Sequence, residues 1–400
     1  MKRLEWVAIF SYLLVGFATV IFGALLPELL RFYGQNYSDG GKLVFLQFAG
    51  FLIGVLITPS LSQRLGYWKT ILFAFIILFF VHSLFFLRPL WYLVLMLAAF
   101  NGFGFGVTQT AVGTMLLESK EDQKAVIMSR LEVSFGIGAL LMPILSSVLI
   151  VKGAWSASFM IVGFFALIMT IIWSHESFRK VDTLVPTPKN KDGFPTVNSY
   201  DKRAIFRLMF FMCFLFLYVG IETSIINFLP SILIKQIEIS SYVAGLSVTL
   251  FWVAMVIGRI FAGVLAEKIK YYRFLFFSNL GALIFIANIS VVKNTLIIFL
   301  LVFLVGLFLS GIFSITLVFA DKVFPGTTKR TTSNLIASGG IGGAVLPLLM
   351  GWSMDRLESE YSIWVLIGFT SVMFLILTAM GLLKFKDNKA SETVNHQKQL

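Results

Sequence analysis

The sequence predicts an all-α polytopic membrane protein of twelve transmembrane helices in two related bundles of six, and three observations lead there. Of its 400 residues, 58% are hydrophobic and only 13% charged, with a mean hydropathy of +0.90; no water-soluble domain can hide that much apolar surface. Twelve apolar stretches are each long enough to cross a bilayer, six before and six after a single polar, proline-bearing break. Residues also recur between the two parts at one fixed offset of 204 positions.

Taken in order, the run from Trp6 to about Leu30 is too long for the apolar core of a signal peptide, and more spans follow it, so it reads as the first helix. Further spans fall at 43–61, 70–87, 91–117, 127–151 and 155–174, then at 208–233, 242–266, 274–292, 295–320, 331–354 and 362–383. The break between the sets holds Pro186, Pro188, Gly193 and Pro195 among many charges and reads as a linker. The expected organisation is a bundle over 1–174, a linker over 175–207, a second bundle over 208–384 and a polar, disordered tail over 385–400. Cys213, the lone cysteine, lies inside an apolar run and reads as a structural thiol.

The formal net charge is +12, a value that could suggest nucleic acid. The positions of the charges argue for topology instead. With the N-terminus inside the cell, the cytoplasmic segments hold 24 of the 32 Lys and Arg residues, while Arg31, Lys42, Arg88, Lys152, Lys235, Lys293 and Arg356 lie outside and Arg259 lies within a span. Basic residues stay on the cytoplasmic side, so both termini and the linker are expected there, in the plasma membrane. The pattern lacks metal-ligand clusters, a phosphate-binding Gly-Lys loop and a nucleophile elbow, which argues against an ATP-driven pump or an enzyme.

The repeat is visible in glycines and prolines. Gly54 matches Gly258, Gly102 matches Gly306, and Gly136-Ile-Gly-Ala-Leu-Leu-Met-Pro143 matches Gly340-Ile-Gly-Gly-Ala-Val-Leu-Pro347. Small residues shared by both halves serve close helix packing. Glu132 shares a helical stripe with Gly136, Ala139 and Pro143, but position 336 in the second copy is Ile. The acid is therefore an addition to the packing pattern, either a functional group or half of an end-of-helix salt bridge with Arg130 or a basic loop.

The stretch around which the chain is organised is Tyr218–Pro230. Glu222 stands there as an unpaired carboxylate in an apolar span, flanked by Gly220, Thr223, Ser224 and Asn227. A charge at such a depth costs about 2.5–3.5 kcal/mol on insertion scales and marks a functional site by default. Pro230 removes a backbone hydrogen bond and predicts an interruption of the span. Tyr218 and Glu222 share one face, whereas Gly220, Thr223, Ser224 and Asn227 define another; a break near Gly220 or Ile226 would bring them to one cavity.

Gly263-Val-Leu-Ala-Glu-Lys-Ile-Lys-Tyr-Tyr-Arg273, between spans eight and nine, resembles the cytoplasmic loop motif of the major facilitator superfamily. The resemblance implies a gate in which Gly263 allows close helix approach while Glu267, Lys268 and Arg273 lock the inner end, with Arg259 two turns away as a partner for Glu267. The first-half copy, Pro59–Lys69, has Pro59 for the glycine and Gln63 for the acid, so the latch is asymmetric. Segments 47–56, 130–140, 216–234, 251–260 and 310–317 are similar to the fucose permease–like branch and its glucose/mannose:proton symporters.

That resemblance implies alternating-access uptake of a monosaccharide, driven by protons carried on Glu222 or Glu132. Members of the family often place a proton-carrying acid in span four. Here the equivalent is Gln109, which can bond a sugar hydroxyl but cannot carry a proton. Candidate sugar contacts are Gln47, Gln109, Asn227 and Asn334, with Asn279 also considered, and Tyr218 and Trp252 as ring platforms. Glu28 reads as an outer gate or an interfacial acid near Arg31, and His82 as an interfacial residue. The expected partners are a sugar, protons and the bilayer, with no cofactor, no metal and no nucleic acid, in a monomer. Two rival functions are a proton-coupled drug exporter and a non-transporting sensor or scaffold on the same fold. The family's antiporter motif places Gly before the span-five proline and a glycine pair after it; Met142 and Ile144-Leu145-Ser146-Ser147 stand there instead, which counts against export.

Overall fold

The computed structural model describes residues 2–119, 124–175, 202–324, 328–357 and 362–383. All of its regular elements are helices: α1 (Lys2–Tyr33), α2 (Tyr37–Phe86), α3 (Trp91–Ser119), α4 (Lys124–Val151), α5 (Ala157–Ser174), α6 (Lys202–Ile237), α7 (Ser241–Ile269), α8 (Tyr271–Ile289), α9 (Thr295–Leu309), α10 (Ile312–Val323), α11 (Thr328–Arg356) and α12 (Ser362–Leu382). Most of the expected linker and the tail lie outside the described residues.

At 1.5 Å per residue a 50-residue helix measures about 75 Å, more than twice the ~30 Å hydrocarbon core. The 50 residues of α2 therefore cross twice, turning at Gly66, whose φ of 84° and ψ of 163° break the helix. Conversely, α9 and α10 form one crossing interrupted at Ser310 and Gly311. The described residues thus make twelve crossings, with residues 2, 175, 202 and 383 at one end (the terminal end) and the loops at 34–36 and 238–240 at the other (the far end). Asn36, Ser240 and Asn294 cap helices starting at the far end, each side chain accepting from a first-turn N–H.

The 204-residue offset reappears in three dimensions. A side chain at Gly102 would collide with the Gln47 carbonyl, and one at Gly306 with the Phe251 carbonyl, 204 positions on. Gly54 packs on Phe103 and Gly258 on Leu307, again in register. Gly136 on span five meets Val256 on span eight, while its counterpart Gly340 on span eleven meets Leu52 on span two. Absent side chains thus set both the packing inside each half and the seams between halves.

Those seams close the far end. Spans two and eleven meet where Gly41 abuts Leu348 and Gly351 abuts Tyr37, and spans one and seven meet at Gly23 against Ile226 and Asn227. The Asp355 carboxylate accepts hydrogen bonds from the Tyr37 and Ser38 N–H groups at 2.8 and 2.6 Å, capping α2 from the opposite half. Lys235 donates to the Met354 carbonyl at 2.9 Å and lies over the Tyr37 ring. The contact between the halves nearest the terminal end that the structure shows is the one between Glu132 and Arg259.

Three expectations fail for identifiable reasons. α6 runs as an unbroken helix through Gly220, Ile226 and Pro230, because buried neighbours on both sides hold it. His82 is fully buried, its ring against Phe85 and Phe159 and its Nδ1 at 2.8 Å from the Leu78 carbonyl, not interfacial. Cys213 is exposed on the outer face of its span, so its thiol packs on no core.

Lys270 occupies the position equivalent to Gly66 and shares its turn, with φ 75° and ψ 142°. A side chain in that region costs about 1–3 kcal/mol. Lys270→Gly is therefore expected to raise stability by about 1 kcal/mol, read as a higher thermal unfolding midpoint in detergent, while Gly66→Lys lowers it.

Candidate functional site

The close approach of span five to span eight at Gly136 and Val256 carries Glu132, one turn nearer the terminal end, to Arg259. The separation is 3.9 Å between Oε2 and Nη1. On the other side of the same guanidinium, Glu222 of α6 places Oε1 at 3.7 Å from Nη2. One arginine thus stands between two carboxylates contributed by opposite halves. Both separations exceed the 2.7–2.9 Å of a tight charge-assisted hydrogen bond, so this is an attraction that small movements can make or break.

Exposure is graded across the cluster. The Glu132 side chain is 42% exposed, Arg259 32% and Glu222 13%. Around them, the Arg259 guanidinium lies 5.8 Å from the Trp252 ring centroid, and Trp252 meets Phe135 of the other half edge-on. The Tyr218 hydroxyl adjoins the Glu222 carboxylate and Arg259 and lies 3.1 Å from the Leu309 carbonyl, to which it donates. That carbonyl is the last of α9, at the interruption of span ten.

Two expectations about the charges are corrected here. Glu222 is paired, not unpaired, because Arg259 sits one helix away. Arg259 itself faces Glu132 and Glu222 rather than Glu267, and Arg130 pairs with Glu5 at 3.7 Å instead of with Glu132. The loop-motif residues are spread on the surface. Gly263, Glu267, Lys268 and Arg273 are exposed, a side chain at Gly263 would meet nothing within 4 Å, and Glu267 forms no ion pair with the described residues. The Glu28 acid is buried and paired with Arg31, as its neighbourhood in sequence suggests.

The candidate sugar contacts divide into two groups. Tyr218 and Trp252 are buried in side-chain packing, although the Trp252 Nε1 lacks a partner among the described residues. Gln47 is fully buried, its Nε2 donating to the Thr19 carbonyl at 3.0 Å and its Oε1 unpartnered. Asn227 donates to the Thr223 carbonyl at 2.8 Å and also leaves Oδ1 free. Gln109 and Asn334 are half-buried, and the Gln109 carbonyl accepts from Tyr12 at 2.9 Å. Asn279 is fully buried with both amide atoms unpartnered.

Sequence reasoning passed over Asn101. Its Nδ2 donates to the Ala18 carbonyl at 3.0 Å, next to the carbonyl that Gln47 holds, and its Oδ1 is a second buried, unpartnered acceptor beside span one. An amide in the middle of span four was the available signal. The two faces of α6 stay separate, as its helical period requires. Glu222 and Tyr218 turn to Arg259, whereas Gly220 and Thr223 pack on span eleven at Gly342 and Gly343.

The family model described as Major Facilitator Superfamily matches residues 8–225 and again 210–399. The chain belongs to the major facilitator superfamily. It is 31% identical over 395 residues to the glucose/mannose transporter GlcP of Bacillus subtilis (strain 168), covering 95% of this chain and 94% of that one. A putative glucose/galactose transporter of Helicobacter pylori (strain ATCC 700392 / 26695) is 23% identical, with 88% and 89% covered. Among solved structures, a bacterial homologue of the human lysosomal transporter Spinster, titled as inward-facing and occupied, superposes with a TM-score of 0.77 at 12% identity, covering 97% and 99%. A D-xylose–proton symporter superposes with 0.73 at 14%, covering 93% and 96%. These likenesses identify the fold as the superfamily's, and the relatives are transporters, not enzymes.

Removing Arg259 alone leaves Glu222 buried without compensation. Arg259→Gln is expected to lower the thermal unfolding midpoint in detergent more than Arg259→Gln with Glu222→Gln does, with a coupling of roughly 0.5–3 kcal/mol. Additive effects would mean that the pair does not interact.

Proposed function

We propose that the protein is a proton-coupled importer of a hexose such as glucose or mannose, working by alternating access in the plasma membrane with both termini in the cytoplasm. The observation that carries the reading is the Glu132–Arg259–Glu222 cluster. Two carboxylates against one guanidinium hold a formal charge of −1 when both are ionised, and one proton makes the cluster neutral. In a medium that penalises uncompensated charge, uptake of that proton and release of the cross-half attraction are one event. The sugar class is supported by the relative at 31% identity, named as a glucose/mannose transporter.

The proton enters with sugar from the far end and leaves to the terminal end, where Glu132 meets water. Each inward proton gains about 2.3 kcal/mol per 100 mV of membrane potential, before the pH gradient adds. Gln47, Asn101 and Asn227 offer buried acceptors for sugar hydroxyls once the far-end seam opens, with Gln109 and Asn334 reaching in from their half-buried positions. Tyr218 and Trp252 hold the charged cluster in place, and a stacking role for either ring requires the halves to move. Gly263, Glu267, Lys268 and Arg273, exposed in the present state, are assigned to the state in which the terminal end closes. The functional unit is taken as the monomer, since the cavity lies within one chain.

The test is uptake of labelled glucose, mannose and galactose into proteoliposomes, with and without an inward proton gradient. Gradient-driven accumulation of one sugar is expected, and Glu222→Gln is expected to abolish accumulation while preserving sugar exchange at equilibrium. Outward movement of lipophilic cations against the proton gradient, without sugar flux, would establish an exporter. Absence of any flux would favour a sensor.

A further inference from the structure

Span five has a second organised face, away from Glu132. Val133, Ile137, Leu141 and Val148 are all exposed and recur at helical spacing along its whole length, between the sides packed on spans eight and one. In a membrane-spanning helix that row faces hydrocarbon. Arg130 heads it, one turn nearer the terminal end, with 60% of its side chain exposed and the Glu5 carboxylate 3.7 Å away. Span one carries a parallel row, Arg3, Trp6 and Phe10, all exposed.

Between the rows lies a cavity of about 620 Å³, walled by Trp6, Ile9, Val133 and Ile137, with Glu5 and Arg130 at its mouth. The hydroxyl of Ser134, also on its wall, is spent on the Ile9 carbonyl at 2.6 Å, so the interior presents hydrocarbon.

Both helices therefore read in the same direction: a cation at the bilayer edge, then aromatic and aliphatic surface. Arg130 stands at the mouth, and Arg3, exposed, lies one helical turn before the wall residue Trp6. We propose that this groove binds an anionic phospholipid from the leaflet at the terminal end. Its phosphate engages Arg130 and Arg3, and one acyl chain lies along Ile9, Val133 and Ile137. Basic pockets between helices at a membrane edge recognise such headgroups, Trp6 sits at the depth where indoles partition, and the volume falls within the range of small-ligand sites. The groove is on another face of span five from Glu132, so the inference stands whether or not the chain carries sugar.

The full chain, purified in detergent and incubated with equimolar dioleoyl phosphatidylglycerol and dioleoyl phosphatidylcholine, is examined by native mass spectrometry. The wild type is expected to retain the anionic lipid preferentially. Arg130→Gln is expected to cut that preference roughly fivefold, and Arg3→Gln with Arg130→Gln further still. Val133→Trp, which fills the groove and keeps the charges, is expected to lose the bound lipid while remaining monodisperse, so the outcome does not depend on the arginine variants folding. Equal retention of the two lipids by the wild type, or unchanged retention in Val133→Trp, overturns the proposal. Displacement of the lipid by inorganic phosphate at matched ionic strength also overturns it, because it reduces the site to a simple anion site.

Discussion

A guanidinium inside a bilayer has to be compensated, and most of this architecture follows from how Arg259 is. It lies deep within a predicted span, and the two carboxylates that answer it come from opposite halves of the molecule. A pair within one half would stabilise that half and say nothing about the other. Here one of the two carboxylates reaches the guanidinium from the other half. The geometry is loose enough, at 3.7 and 3.9 Å, that the attraction can be surrendered without breaking a buried hydrogen-bonded network, whose loss would cost several kcal/mol.

Around this asymmetric centre the scaffold is symmetric. Glycines at equivalent positions let span two meet span four, span eight meet span ten, and spans five and eleven meet spans eight and two. Two bundles built on one plan can rock against each other with similar seams at either end. The far-end seam is reinforced by Asp355 and by Lys235 over the Tyr37 ring. The members of the repeat without a counterpart, Glu132 against Ile336 above all, are where that symmetry is broken.

Much of this was legible in the sequence because apolar length, basic-residue placement and a repeated glycine pattern are one-dimensional signals. The twelve crossings, the repeat and the presence of acids at 222 and 132 within apolar spans could all be read there. The partner of Glu222 could not, because Arg259 is near it only through the packing of span eight. The same limit led the loop motif to claim Arg259 for Glu267, which is close along the helix but lies on the surface. Pro230 suggested a break that tertiary packing overrides, and Ser310 with Gly311, in span ten, marks a break that was not expected there. Asn101 and Gln47 look alike in sequence to any other amide; their shared hold on adjacent span-one carbonyls is visible only in three dimensions.

The central claim is that protonation of this cluster governs how the halves sit. The most direct test places spin labels at Val133 and Val264, exposed positions on opposite halves near the terminal end, and follows their distance distribution by pulsed electron resonance from alkaline to acidic buffer. The account predicts that acidification redistributes the distances in the otherwise unaltered protein, and that Glu132→Gln with Glu222→Gln removes the response. An identical pH response with and without the two carboxylates would contradict it.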